Sequence, residues 1–274
     1  MRKLTKLLLF ITMGILLFVT ASCNNNQTTD DRPTFTVGME CAYAPFNWTE
    51  NIKTNTNYPI EGTNLYAEGY DVQMAKQIAD SLNYRLVIKA IEWDGLIPAL
   101  QAGQIDAIIA GMSDTEERRA NVNFTNAYYK STHVLVMEKT SQYINGTTLN
   151  DFAGANVVGQ IETLYDSLID QLVGANHMTP LADVPTIITS IKAKRADITI
   201  LEEPVAKGVI ETNPDLTYIT LTSGFNVSLE DVCVAIAVKL GNTELQTKIN
   251  EVLNQITEAD RNSLMDQAIQ LSAE

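Results

Sequence analysis

The residues best placed to do chemistry lie in one stretch, Gly111-Met112-Ser113-Asp114-Thr115-Glu116-Glu117-Arg118-Arg119. It follows Ile105-Asp106-Ala107-Ile108-Ile109-Ala110, an apolar run that reads as a buried strand. A strand that opens into a Gly/Ser turn and a charged helix start leaves unpaired backbone N–H groups at its carboxyl end. Gly111 lets a ligand approach the backbone closely. Ser113 adds a hydroxyl, and Arg118 a planar fork of donors. Together these groups suit a small carboxylate. The same spacing also describes an ordinary first helical turn, with Arg118 a surface cation beside Glu116 and Glu117.

The elements that must position this stretch follow from periodicity. Residues 35–39 read as a strand, followed by an aromatic-rich turn at 40–48. Residues 51–67 are polar and read as a loop. A helix then starts at Gly69-Tyr70-Asp71, with Asp71 as its N-cap and Val72, Ala75, Ile78, Ala79 and Leu82 on one apolar face. Residues 85–91 are a strand, and Asp94 caps a short helix over 95–102 that Gly103 stops. Alternating strands and helices imply a parallel sheet with helices on its faces, and ligands in such sheets sit beyond the strands' carboxyl ends. The turns at 40–46, 92–94 and 111–118 converge there.

A second series begins after a strand at 133–137. It has a strand at 156–159, helices at 163–173 and 185–194, and a strand at 197–201. Residues 100–109 can be laid over 191–200 without a gap, so that the strand end Ala110-Gly111 corresponds to Leu201-Glu202-Glu203. A further strand at 232–238 and two amphipathic helices, 243–256 and 258–270, close the chain, and the helices are expected to pack on the first lobe. The organisation expected is α/β with two lobes. Residues 34–133 and 234–274 form one and 134–233 the other, with hinge strands near 131–138 and 226–234. Such a double crossing is a natural hinge.

The chain's 274 residues and 45% hydrophobic content suffice for one or two packed domains. Residues 1–22 combine the basic start Arg2, Lys3 and Lys6 with an apolar core of signal-peptide length. Thr20-Ala21-Ser22-Cys23 resembles a bacterial lipobox with Thr20 in place of the usual leucine, which implies cleavage before Cys23 and lipid on its sulfur. An ordinary secretory peptide cut near Ser22 is the alternative. Residues 23–33 are polar and read as a disordered tether. Without Arg2, Lys3 and Lys6 the net charge of −14 becomes −17, which argues against nucleic-acid partners. Cys41 and Cys233 could pair or be buried thiols, and the two histidines, His133 and His177, are isolated. No cluster has metal-ligand spacing, so no metal or cofactor is expected.

Several short motifs now stand in order: Gly69-Tyr70-Asp71-Val72, Trp93-Asp94-Gly95-Leu96-Ile97-Pro98-Ala99-Leu100, Ile105-Asp106-Ala107-Ile108, Thr115-Glu116-Glu117-Arg118 and Phe124-Thr125-Asn126-Ala127-Tyr128-Tyr129. In this the chain resembles the polar amino-acid-binding proteins of ABC importers. The resemblance implies a periplasmic-binding-protein-like fold, with two lobes that close on a free amino acid. It implies that Arg118 clamps the α-carboxylate with Ala110, Gly111 and Ser113 at the same turn, and that Tyr43 and Trp93 sandwich the side chain. Thr163 matches a second-lobe threonine that reaches the carboxylate, although Glu162 stands where the family usually has glycine. Glu203 falls at the acid for the α-ammonium, with Glu202 its rival by one residue, and Glu40 at an acid found in relatives that bind basic amino acids. Asp114 replaces a commonly apolar residue and receives no role.

The function expected is a lipid-anchored, extracytoplasmic, monomeric receptor. It would deliver a polar amino acid, leaning to arginine or lysine, to ABC permease subunits. The alternative is an enzyme on the same scaffold, a dehydratase acting on a cyclic diene acid. It would need a general acid or base beyond those that hold the zwitterion.

Overall fold

The structure, a computed structural model, describes residues 30–273. The leader, Cys23 and the first part of the tether lie outside the described residues. Two five-stranded sheets form the scaffold. The first runs, in spatial order, Arg85–Ala90, Thr34–Met39, Ala107–Ile108, Cys233–Lys239 and Val122–Lys130. The second runs Asn176–His177, Asn156–Val157, Ile198–Glu202, His133–Glu138 and Leu216–Ile219. In each, the first three strands are parallel and the last two antiparallel to their neighbours.

The gap-free repeat therefore has an architectural counterpart. Its two copies supply the central strand of each sheet, Ala107–Ile108 and Ile198–Glu202. In one copy the Asp106 carboxylate accepts from Thr36 N (2.8 Å); in the other the Asp197 carboxylate accepts from Asn156 N (2.8 Å). Each aspartate thus pairs a backbone N–H of the neighbouring parallel strand, one residue before the ladder between the two begins.

Both sheets are covered on both faces, as parallel strands require. Along His133–Glu138, Val134 and Val136 point into one apolar cluster and Leu135 and Met137 into another. The chain leaves the first sheet at Ser131-Thr132 and returns before Cys233, and Ser131 N donates to Val232 O (3.1 Å), so the two crossings run side by side.

Several elements differ from the sequence reading. The polar loop at 51–67 carries strands Tyr58–Pro59 and Tyr66–Glu68, which pair with each other and, through the latter, with Asn47–Glu50. Tyr58, Tyr66 and Ala67 pack there, but many Asn and Thr residues around them masked the pattern. Asp71 is not the cap of Tyr70–Ser81. Gly69 occupies that position, and Asp71 is fully buried. Asp94 makes no cap either, because Trp93–Gly95 is a 3-10 turn leading into Leu96–Gln101. The helix expected over 163–173 is Leu164–Leu168 with a 3-10 turn, Ile169–Gln171. Of the closing helices, Thr243–Leu253 packs on the first lobe. Glu258–Leu271 packs against Tyr70–Ser81 and also against Glu203–Thr212 of the second sheet's unit. Cys41 and Cys233 are both free thiols.

Gly69 ties the insertion to the first lobe. Its φ is +123°, and a Cβ there would lie 2.8 Å from both the Phe46 carbonyl carbon and Trp48 Cζ3. Because the obstacle includes backbone, Gly69→Ala is expected to lower unfolding free energy by about 3 kcal/mol in a denaturant titration. A loss under about 1 kcal/mol would show that this turn has room the packing denies.

Candidate functional site

The strand Ala107–Ile108 ends in Ile109 and Ala110, both fully buried, and the chain then turns at Gly111. Gly111 has φ +61°, and a Cβ there would press on the Tyr43 ring at 3.0 Å and the Phe46 ring at 3.2 Å. Left-handed backbone and a close aromatic wall both demand glycine. Thr115 caps the short helix Glu116–Arg119, its side chain accepting from Arg118 N. That cap directs Arg118 back over the turn, where one terminal nitrogen donates to Ser113 O (2.9 Å). Arg118 is therefore buried, 9% exposed, rather than a surface cation. Asp114, for which the sequence suggested no role, accepts both ends of the Arg119 fork at 2.6 and 2.8 Å.

One small cavity is lined by Glu40, Tyr43, Trp93, Gly111, Ser113 and Arg118 from the first lobe, and Gln160, Thr163, Leu164 and Tyr165 from the second. Of the residues singled out in the sequence, seven thus meet at one place. Ala110 packs beneath the turn with Trp93, Leu96 and Met112 and does not line the cavity. Glu203 is not there either. It starts Glu203–Thr212, half in solvent, bound to Lys207 (2.9 Å) and Thr132 (3.0 Å). Glu202 faces inward instead, 1% exposed, and receives the Tyr43 hydroxyl on one oxygen while its other oxygen has no partner. The correction has a physical cause. A strand buried throughout has no period-two pattern, so neighbouring acids at its end cannot be separated by alternation. The gap-free repeat does separate them, because its register sets Glu202 opposite Gly111.

Gln160 and Tyr165 were not singled out in the sequence. Gln160 lies at the carboxyl end of Asn156–Val157, where the topological rule would place a ligand contact. Tyr165 lines the cavity with Ser113 and stands edge-on to His133, with centroids 5.5 Å apart. Thr163 is the N-cap of Leu164–Leu168. Its hydroxyl donates to Gln160 O (2.7 Å) and accepts from Asp166 N (3.3 Å). Glu162 before it has φ +57°. Glycine would hold that left-handed conformation without strain, which gives the physical meaning of the departure at 162.

The two lobes meet through bonds between these residues. Glu162 O accepts from Arg118 (3.0 Å) and from Trp93 Nε1 (3.2 Å). Gln160 Nε2 donates to Glu40 Oε1 (2.7 Å), and Tyr43 reaches Glu202. The space left between the lining residues is about 10 Å³, roughly one water's worth. An amino acid enters only if the lobes part and these bonds are exchanged for its own.

The electrostatics are polarised along the seam. Arg118 has the Trp93 ring 5.1 Å from its guanidinium carbon and backbone carbonyls as partners, and no ion pair among the described residues includes it. Burial lowers its pKa. At the acidic side, burial pushes Glu40 up to about 7, with Asp183 and Glu92 adding to the rise and the Gln160 hydrogen bond opposing it. Burial pushes Glu202 up to about 8. The site thus holds an uncompensated cation and two acids held partly neutral, a donor set for a zwitterion rather than for a metal.

Comparison with known proteins agrees with this geometry. Residues 35–267 match the family model of bacterial extracellular solute-binding proteins, family 3. The arginine-binding extracellular protein ArtP of Bacillus subtilis is 26% identical over 256 residues, covering 92% of each chain. A probable histidine-binding protein of Campylobacter jejuni is 29% identical over 194 residues, 70% of each chain. A crystal structure of an amino acid ABC transporter substrate-binding protein, AbpA of Streptococcus pneumoniae, bound to L-arginine, superposes with a TM-score of 0.75 at 27% identity. That match covers 88% of this chain and 96% of the other. The two-lobed α/β fold is the periplasmic-binding-protein fold. With its family model matched over most of its length, the chain belongs to the bacterial extracellular solute-binding proteins, family 3.

Proposed function

We propose that this protein captures a free amino acid with a basic side chain between its lobes and hands it to the permease of an ABC importer. The observation that carries the reading is Arg118, a buried guanidinium at the lobe seam whose partners are neutral carbonyls. A buried charge without a counter-charge is costly, and a carboxylate arriving between the lobes would supply one in bidentate geometry. Gly111 and Ser113 lie beside it to assist, and Thr163 approaches from the second lobe. Glu202, with its unpartnered oxygen, takes the role expected of Glu203 and receives the α-ammonium with Tyr43. Tyr43 and Trp93 flank the ligand's body. Glu40 receives the cationic side chain, with Asp183 and Glu92 adding negative potential. Carboxylate and ammonium partners then lie on different lobes, so the ligand binds the closed form better than the open one, the condition for driving closure.

The arginine-binding relatives favour the basic ligand, and the net charge of −17 without the leader assists capture of a cation. Attachment by lipid at Cys23 would keep the receptor at the outer face of the membrane. No helix of the described residues is long and apolar enough to cross it. The protein is a receptor and not a catalyst, as are the binding proteins it resembles.

In a thermal-shift screen of the twenty amino acids, arginine or lysine is expected to raise Tm most. Stabilisation by glutamate or aspartate, but not by either basic amino acid, would contradict the ligand class. Arg118→Ala is expected to weaken binding by about 100-fold or more while leaving the circular dichroism unchanged. Near wild-type affinity would remove Arg118 from the site.

The acids set a pH dependence. Glu40 and Glu202 have ordinary values of 4.5 and sit at about 7 and about 8 in the fold. The fold favours their neutral forms, so their contribution to stability is complete below about pH 4.5 and is lost as pH rises through about 7 and 8. A cationic side chain requires Glu40 ionised. Arginine affinity is therefore expected to rise between about pH 6 and 8, while the Tm of the protein without ligand falls. Calorimetric titration across that range checks the sign, and a falling affinity would contradict it.

A further inference from the structure

Asp71 has no part in helix capping and none in lining the cavity. It is nevertheless a fully buried carboxylate, and the structure surrounds it with donors. Asn47 Nδ2 donates to its Oδ2 at 2.7 Å, and the Tyr128 hydroxyl to its Oδ1 at 2.6 Å. Neither partner has any exposure: Asn47 and Tyr128 are both 0% accessible.

Each partner passes the connection on to a turn of the cleft. The Asn47 side-chain oxygen accepts from Cys41 N at 2.7 Å. Cys41 holds a left-handed φ of 58° between Glu40 and the strand Ala42–Tyr43. That conformation is strained for a residue with a Cβ, and the Asn47 acceptor helps to hold it. On the other side, the Tyr128 hydroxyl accepts from Gly111 N at 3.1 Å. The Tyr128 ring is stacked on Tyr70, with centroids 5.8 Å apart, and its carbonyl takes the Tyr70 hydroxyl at 2.8 Å. The hydroxyl can therefore move little.

We propose that Asp71 is a positioning residue for the cleft. Through Asn47 it fixes the turn that carries Glu40 and Tyr43, and through Tyr128 the turn that carries Gly111 and Ser113. The inference rests on the reading of that cleft as an amino-acid site. The direction of every bond is determined. A backbone N–H can only donate, so the Tyr128 oxygen accepts from Gly111 and its proton goes to Asp71. Cys41 N likewise fixes the Asn47 oxygen outward and its NH2 toward Asp71. The centre must then accept from both sides, which a carboxylate does and an amide cannot. Burial pushes Asp71 up to about 7, and the bonds from Tyr128 and Asn47 oppose that rise.

The donor–acceptor chain supplies its own test. Asp71→Asn sets two NH2 groups against each other, turns an NH2 of Asn47 on Cys41 N, or turns its own NH2 on the Tyr128 oxygen and leaves that hydroxyl proton without an acceptor. The exchange Asn47→Asp with Asp71→Asn restores every bond. The carboxylate then at position 47 would accept from both Cys41 N and the new amide, whose oxygen would face Tyr128. Tyr128→Phe removes both the bond to Asp71 and the one from Gly111 N, and leaves the Asn47 branch in place. The wild type and these three variants are compared by calorimetric titration with L-arginine well below Tm, by Tm itself, and by native-state amide hydrogen exchange without ligand.

Asp71→Asn and Tyr128→Phe are each expected to weaken arginine binding by about 10-fold. Faster exchange is expected at Gly111 in both and at Cys41 in Asp71→Asn, with core amides such as Val37 unchanged. The exchanged pair is expected to bind within about 3-fold of wild type. A role in stability alone would lower Tm and speed exchange throughout, with unchanged arginine affinity, and would overturn the inference. So would Gly111 exchange that ignores Tyr128→Phe. Wild-type protein that binds no amino acid would overturn the receptor reading, and exchange at Gly111 and Cys41 would still decide whether Asp71 fixes the two turns.

Discussion

Arg118 carries a permanent charge almost out of water, held by carbonyls and an indole face. That arrangement organises the site around it. On the proposed reading, a guanidinium buried without a carboxylate favours an occupant that brings one. It also explains why the turn before it must be so tightly specified. Gly111 brings the backbone under Tyr43, Thr115 caps the short helix, and Ser113 O anchors the guanidinium. Half of the donors for a carboxylate are in place in one lobe alone.

The other half depends on the second lobe. Glu162 O, Gln160 and Glu202 meet Arg118, Glu40 and Tyr43 across the seam. One acid oxygen is left unmatched, and burial at the seam presses two carboxyls toward neutrality. A zwitterion with a cationic side chain would satisfy each of these groups with a complementary one. The exchange of weak or mismatched contacts for charge-assisted ones is what would give such a ligand its preference for the closed lobes. The two side-by-side crossings at Ser131 and Val232 are where such a rotation would be absorbed.

Much of this was legible in the residues. The alternation of strands and helices comes from periodicity, and the internal repeat from the gap-free match of 100–109 with 191–200. The repeat extends to the paired aspartates Asp106 and Asp197. Gly111 and Arg118 stood out because a turn after an apolar strand combines glycine, serine and arginine, a pattern that an ordinary first helical turn also shows. What was hidden depended on tertiary geometry. Glu202 and Glu203 are chemically identical neighbours that alternation cannot separate, and only the register of the repeat sets Glu202, not Glu203, opposite Gly111. Asp71 had the sequence context of a cap, whereas its partners Asn47 and Tyr128 are 24 and 57 residues away. The strands within 51–67 were masked by the polar residues that serve their turns.

The central claim is that Arg118 recognises the α-carboxylate of an amino acid. It is tested most directly by comparing L-arginine with its decarboxylated amine, agmatine, in wild-type protein and in Arg118→Ala. The two ligands differ only in the carboxylate, so the cycle isolates that one pairing. Wild type is expected to prefer arginine by about 100-fold or more, and Arg118→Ala scarcely to distinguish the two. An Arg118→Ala variant that kept the full preference for arginine would contradict the claim.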